Sequence, residues 1–287
     1  MTGLVKRNLW LYFEDRSGVF FSLLGALIAF VLYIIFLKHN MATSWDNVPY
    51  KNELLDKWLI GGTLATTAIT TTGNAVSTAV TDRENGRLTD LMMTDVHSET
   101  IQAAYAVNGI IVGTIMQIVM LISLSVYFWV TDGIHFDWTL IQQLLAIAVL
   151  NATIWTMFNV LIQTFIHKMS TLGTVQSLIG TAAGFFVGVY LPIGMLPHSA
   201  SHLIKWTPAP YSASLYRRVL MAKSLKIAFK SRTDRIEFER IMGINISIHG
   251  MNAYLTDTII LSACALTFAI FVGLLARRSQ MSAVQVH

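Results

Sequence analysis

Thr81-Asp82-Arg83-Glu84-Asn85-Gly86-Arg87-Leu88-Thr89-Asp90-Leu91-Met92-Met93-Thr94-Asp95 is a polar segment between two long apolar runs. It is too charged to lie in hydrocarbon, yet Leu88, Leu91 and Met92 recur at helical spacing. That pattern predicts a short amphipathic helix with one apolar knob. Gly86 permits a sharp bend before it, and Asp95 is placed to cap the run that follows. A flat helix of this kind suits a groove on another protein as well as a plain interfacial turn.

The runs on either side decide the fold class. A membrane-spanning helix needs about 20 apolar residues, and a charge at mid-span costs roughly 2.5–3.5 kcal/mol, so gaps between charges mark candidate spans. The gaps predict spans at 17–37, 58–80, 101–130, 140–166, 171–191 and 254–276. They leave an interfacial helix at 1–16, a polar connection at 81–100 and a long loop at 192–252. The expected fold is an all-α integral membrane protein forming one membrane domain, 1–287. Composition agrees: 13% of residues are charged and 54% hydrophobic, against about 25% charged in a soluble domain. The start of the chain shows no small-residue cleavage site and reads as a retained anchor.

An even number of spans puts both termini on one side, together with Lys6, Arg7, Arg16, Arg83, Arg87, Lys168, Arg277 and Arg278. The positive-inside rule makes that side cytoplasmic, in a multi-pass protein of the cell membrane. The opposite loop, 192–252, carries nine Lys and Arg; a loop of that length is largely exempt from the rule. The net charge of +4 suits anionic lipid headgroups and is too weak to argue for nucleic acid.

Several chemistries lack their residues. No Gly-Lys pair occurs, so the phosphate-binding loop G-x-x-x-x-G-K-[ST] is missing and no nucleotide or other cofactor is expected on this chain. His198 and His202 stand at i,i+4 without the Glu of H-E-x-x-H or a third ligand, so no metal is expected. His249 joins them as the only remaining material for a membrane-embedded lipid-modifying enzyme. Paired carboxylates within the spans are missing, which argues against an ion-driven transporter. The lone Cys264 reads as a packed thiol. Within the spans, Thr63, Thr67, Thr70, Asn74 and Thr78 form a stripe at helical spacing. With Asn159 they are candidates for a substrate path, or for interhelical hydrogen bonds. Gly180, Gly184 and Gly188 form a small-xxx-small face, the pattern of close helix packing. Arg235 and Glu239 fall at i,i+4, predicting an exposed helix near 232–240.

The pattern Arg83-Glu84-x-Gly86-Arg87-Leu88-x-Asp90-x-Leu91-Met92 resembles the segment after the second span in type-2 ATP-binding-cassette (ABC-2) exporter permeases. The opening Lys6-Arg7-Asn8 to Arg16 resembles that family's N-terminal interfacial helix. Pro192-Ile-Gly-Met-Leu-Pro197, followed by Trp206-x-Pro208-x-Pro210-Tyr211, looks like its hallmark after the fifth span. The chain departs from the family at Asp95, where many members carry proline, and in a longer stretch at 221–250. The resemblance implies a permease that is not itself an enzyme. It pairs with a second permease subunit, expected to be identical, and docks two cytoplasmic ATPase subunits that hold ATP and Mg. Arg83, Glu84, Gly86, Arg87, Leu88, Leu91 and Met92 would then couple to the ATPase, and the glycine face would pack the dimer. The bundle carries no charge cluster, so the expected cargo is hydrophobic or amphipathic: a drug, a lipid-like metabolite or a peptide antibiotic. A lipid-linked glycan is the alternative.

Overall fold

The computed structural model describes residues 1–45, 48–94, 96–246 and 253–284, and these residues are mostly helical with no strand among them. The chain opens with α1 (Thr2–Glu14), which buries Asn8 and Tyr12. Asp15 ends it and starts the next helix, its carboxylate accepting from the Gly18 amide at 2.9 Å. The first apolar run is then built from α2 (Arg16–Ser22), α3 (Leu24–Leu32), a five-residue π-turn at Tyr33–Leu37, and α4 (Lys38–Ser44). Next come α5 (Lys51–Val76), α6 (Thr78–Glu84), α7 (Arg87–Met92) and α8 (Ser98–Asp132). The second half holds α9 (Ile141–Thr164), α10 (Met169–Val187), α11 (His198–Lys205), α12 (Ala209–Ala228), α13 (Arg232–Ile241) and α14 (Ala253–Val284).

Three stretches are long and apolar enough to cross a membrane: Leu24–Ser44, Ser98–Asp132 and Trp138–Thr164. The expected second span is missing from that set for a physical reason. Helix α5 sits at the centre of the bundle, packed by α3, α8, α9, α10 and α12, and nearly every residue on it is buried. A helix shielded from lipid on all sides need not be apolar, and this one is rich in threonine. Each of those hydroxyls bonds back to its own helix, as Thr63 does to the Leu59 carbonyl at 2.8 Å and Thr71 to the Thr67 carbonyl at 2.6 Å. Helix ends also overrun the charge-defined limits. Helix α5 starts at Lys51 and, after a break at Ser77, α6 carries the same path to Glu84. Charges mark where hydrocarbon stops, whereas backbone hydrogen bonding continues into the polar zone.

Neighbouring side chains bond carbonyls along the last two turns before the break. Asn108 donates to the Ala75 carbonyl at 2.9 Å, Asn159 to Ile69 at 3.1 Å and Gln163 to Gly73 at 2.8 Å. At the other end of α5, Asp56 is fully buried and accepts from the Tyr33 hydroxyl at 2.6 Å and from Lys38 at 3.0 Å. Lys38 also reaches Asp132 at 2.9 Å. One cation thus ties the ends of three apolar runs.

The described part of the stretch read from sequence as a loop (192–252), residues 192–246, is mostly helical. Helix α12 in particular is buried against α5, α9, α10 and α14. Its sequence is too polar to stand out as a span, but its contacts lie inside the protein. Arg217 on this helix is fully buried. The guanidinium stacks 4.4 Å from the Trp58 ring and donates to the carbonyls of Gly188 (2.9 Å), Trp58 (3.3 Å) and Met242 (3.5 Å). Gly61 and Gly62 make the notch it occupies: a Cβ on Gly61 would stand 2.8 Å from its Cγ, and one on Gly62 2.9 Å from its Nη2. Helix α13 is exposed along one face and carries the expected Arg235–Glu239 pair at 2.7 Å.

Helix α10 ends at Gly188, whose φ of +69° lies in the left-handed region that L side chains enter at a cost of roughly 1–2 kcal/mol. Gly188→Ala is therefore expected to lower stability by at least about 1 kcal/mol, because its Cβ would also stand 2.7 Å from Ile193. Thermal unfolding in detergent would read this as a lower midpoint.

Candidate functional site

Asp82, Arg83 and Glu84 are consecutive, yet each side chain is bound to a different part of the bundle. Asp82 is fully buried, and Arg7 of α1 meets it in a two-pronged ion pair with both bonds at 2.7 Å. The Tyr105 hydroxyl of α8 donates to the same carboxylate at 2.6 Å. Burial alone would raise the Asp82 pKa, but the bonds from Arg7 and Tyr105 outweigh it, and the carboxyl is held below its ordinary value. Arg83 donates through Nη1 to the carbonyls of Gln163 (3.1 Å) and Ile166 (2.6 Å). The first carbonyl belongs to the last turn of α9 and the second lies just past its end, so the guanidinium closes the C-terminal end of that helix. Glu84 accepts from the Met169 amide, the first of α10, at 2.7 Å, so it supplies the N-terminal partner that Lys168 does not. Three neighbouring residues thereby tie the end of α6 to α1 and α8, to α9, and to α10.

The chain turns at Gly86, with φ +76°, and α7 begins. Here the bonding stops. Arg87, Thr89, Asp90 and Met92 are exposed, Met93 is 80% exposed, and Leu88 and Leu91 are half-buried. The seven residues expected to act together therefore separate into two groups. Arg83 and Glu84 face the bundle as anchors, while Arg87, Leu88, Leu91 and Met92 lie on the free helix beyond Gly86. The exposed thioether of Met93 belongs with this second group; its exposure depends on how α7 sits, which spacing alone does not show. Asp95, read as a cap, lies outside the described residues.

A second feature is a side groove of about 630 Å³ between α2–α3, α5–α6 and α10. Of the threonine stripe, Thr70 and Asn74 reach it. Thr63 and Thr67 are fully buried, and Thr78 bonds the Ala75 carbonyl at 3.4 Å. Asn159 is also buried; its Oδ1 accepts from Gln176 at 3.1 Å, and Gln176 lines the groove with Ser177, Thr181 and Tyr190. No charged side chain lines it. The three glycines divide as well. Gly180 opens onto the groove beside Gly25 and Thr70, Gly184 lies under the Tyr190 ring, and Gly188 terminates α10. His198 and His202 stack 6.4 Å apart, and no three His, Cys, Asp or Glu side chains converge among the described residues. His249 lies outside the described residues.

A bundle of apolar helices around a polar central helix, with an exposed amphipathic helix pinned beside it, defines a polytopic membrane protein. The model of the ABC-2 type transporter family matches residues 2–221, and the chain belongs to that family. It is thus the membrane component of an ABC transporter. Neither the curated proteins nor the solved structures contain a match.

Proposed function

We propose that the chain is the permease subunit of an ATP-driven exporter, with α7 as the helix on which a separate ATPase acts. The observation that carries this reading is the contrast across Gly86. Asp82, Arg83 and Glu84 before it are bonded into the bundle, whereas α7 after it packs chiefly against α6 and leaves Arg87, Asp90 and Met93 exposed. A force on α7 would pass through Asp82, Arg83 and Glu84 into four helices at once. The chain carries no phosphate-binding loop, and the reading assigns ATP and Mg to the partner.

The reading takes six spans: α2–α4, 58–80 in α5 and the start of α6, α8, α9, α10 and α14, with both termini and the segment from Asp82 through α7 cytoplasmic in the cell membrane. Of the nine basic residues on the opposite stretch, Arg217 is buried against carbonyls and Arg218 is paired with Asp257 at 2.9 Å. Neither offers free surface charge to oppose that orientation. Ser170, Thr174, Ser177 and Thr181 form an exposed hydroxyl stripe along α10 beside the groove. The reading packs a second, identical subunit along this stripe and gives each subunit its own ATPase. Because the groove is uncharged, the cargo is hydrophobic or amphipathic and neutral: a drug, a lipid-like metabolite or a peptide antibiotic.

Affinity purification in mild detergent tests this. The wild-type chain is expected to carry an ATPase with it, and Met93→Glu to lose about tenfold or more of that partner, the effect of charging one contact in an apolar interface. Full retention by Met93→Glu, together with protease access to α7 in the intact complex, would count against the docking role.

A further inference from the structure

Behind α7 lies a partly open recess of about 80 Å³. Ala79 of α6, Ile101 and Gln102 of α8, and Val160 and Gln163 of α9 form its inner wall, while Leu88 and Met92 of α7 form the outer one. Gln163 is almost fully buried and donates through Nε2 to Gly73, but its Oε1 has no hydrogen-bond partner.

The outer wall is held loosely. Helix α7 packs chiefly against α6. Among the described residues, no side-chain hydrogen bond runs from α7 to α8 or α9. It joins the anchored Asp82–Glu84 unit only through Asn85 and Gly86, and nothing stands within 4 Å of where a Gly86 Cβ would be. Leu88 and Met92 are four residues apart and share one face of the helix, the face turned to the cavity.

Resting on the permease reading above, we infer that this cavity is the travel space of α7: pressed by the ATPase, the helix swings about Gly86 and drives Leu88 and Met92 into it. Filling the space brings them hard against Ile101 and Val160. A packed interior shifts between discrete arrangements instead of compressing, so the stroke becomes a displacement of α8 against α9. Leu88 and Met92 are thus positioning residues, distinct from the outward Arg87, Asp90 and Met93 that meet the partner.

The test is disulfide crosslinking in the complex with its co-purified ATPase, in membranes. Met92→Cys and Gln102→Cys are placed in a Cys264→Ser background, and oxidation is followed with and without a non-hydrolysable ATP analogue plus Mg. Nucleotide is expected to raise the crosslinking rate at least about fivefold, the low end of an allosteric coupling. Adding Ala79→Leu, which fills the space from behind, is expected to remove that rise while the ATPase stays bound. A rate indifferent to nucleotide with the ATPase bound overturns the inference and leaves the permease reading standing. So does a rise that survives Ala79→Leu. If no ATPase accompanies the chain, the permease reading itself fails and the inference falls with it. Should Ala79→Leu prevent assembly, the cysteine pair alone decides.

Discussion

Replacing Arg217 with methionine is expected to cost about 3–5 kcal/mol, a large share of the roughly 5–15 kcal/mol that holds a typical protein folded. Two effects oppose each other. Taking a buried charge out of an apolar interior can be neutral or stabilising when its partners leave with it, and methionine would fill most of the volume. Here the partners stay. The acceptors are backbone carbonyls of Gly188, Trp58 and Met242, which no side-chain change removes. Met242 keeps the Trp58 indole N–H at 2.7 Å and the Trp58 carbonyl lies within α5, so the loss falls on Gly188, at about 1–3 kcal/mol for an orphaned buried acceptor, and on the Trp58 ring, whose desolvated cation contact is worth about 2 kcal/mol. Gly188 and Met242 also close the C-terminal ends of α10 and α13, whose negative dipole ends supply the counter-charge that a carboxylate would otherwise provide. Orphaning therefore wins. Arg217→Lys keeps the charge but has no flat fork to span three carbonyls, so it should recover only about 1 kcal/mol. Tryptophan-monitored thermal unfolding in detergent would read both, since Trp58 lies against the guanidinium. An unchanged midpoint in Arg217→Met would show that the Gly188 carbonyl finds another donor and that the Trp58 stack adds nothing.

Asp82→Asn should give the second-largest effect, about 2–3 kcal/mol. The value sits at the lower end for a broken buried pair because the Arg7 side chain keeps 30% of its surface in solvent. The functional consequence should exceed the stability loss. Without the carboxylate, α1 and α8 lose their shared anchor at α6, and ATP turnover by the complex should continue while efflux of a neutral lipophilic dye from membrane vesicles falls about tenfold or more, a coupling loss of about 1.4 kcal/mol. A charge swap separates this from simple misfolding. Arg7→Asp with Asp82→Arg can re-form the pair, though it forfeits the Tyr105 bond, and should restore part of the dye efflux that either single change removes. A double variant no better than the singles would show that the pair's geometry does not carry the coupling. The acid limit follows from the depressed Asp82 pKa: the stabilisation is present above the unfolded carboxyl value near 3.9 and is lost as pH falls through the still lower folded value. The anchor should accordingly hold at any pH near neutrality.

How far the sequence reaches can be judged residue by residue. The short helix after Gly86 was legible because amphipathic spacing is a local property: Leu88, Leu91 and Met92 declare one face whatever surrounds them. The Arg235–Glu239 pair on α13 was legible for the same reason. Arg83 and Glu84 look, in sequence, like part of that exposed segment, and only their partners some 80 residues away at the ends of α9 and α10 show that they point inward. Helix α12 was hidden because burial inside protein, unlike burial in lipid, leaves no run of apolar residues to count. Thr63 and Thr67 gave no sign of being sealed in the core, since a hydroxyl that bonds its own helix looks the same facing a path or a neighbour.

The amino-acid order alone therefore determined that this chain is helical, that lipid covers part of it, and that one polar segment stands apart from the rest. Those properties follow from hydrophobicity and period, which neighbours in sequence share. Which charges are anchors, which hydroxyls reach the groove, and where a cavity lies behind α7 were decided only by tertiary packing. They depend on what residues distant in the chain place opposite one another, and no local pattern encodes that.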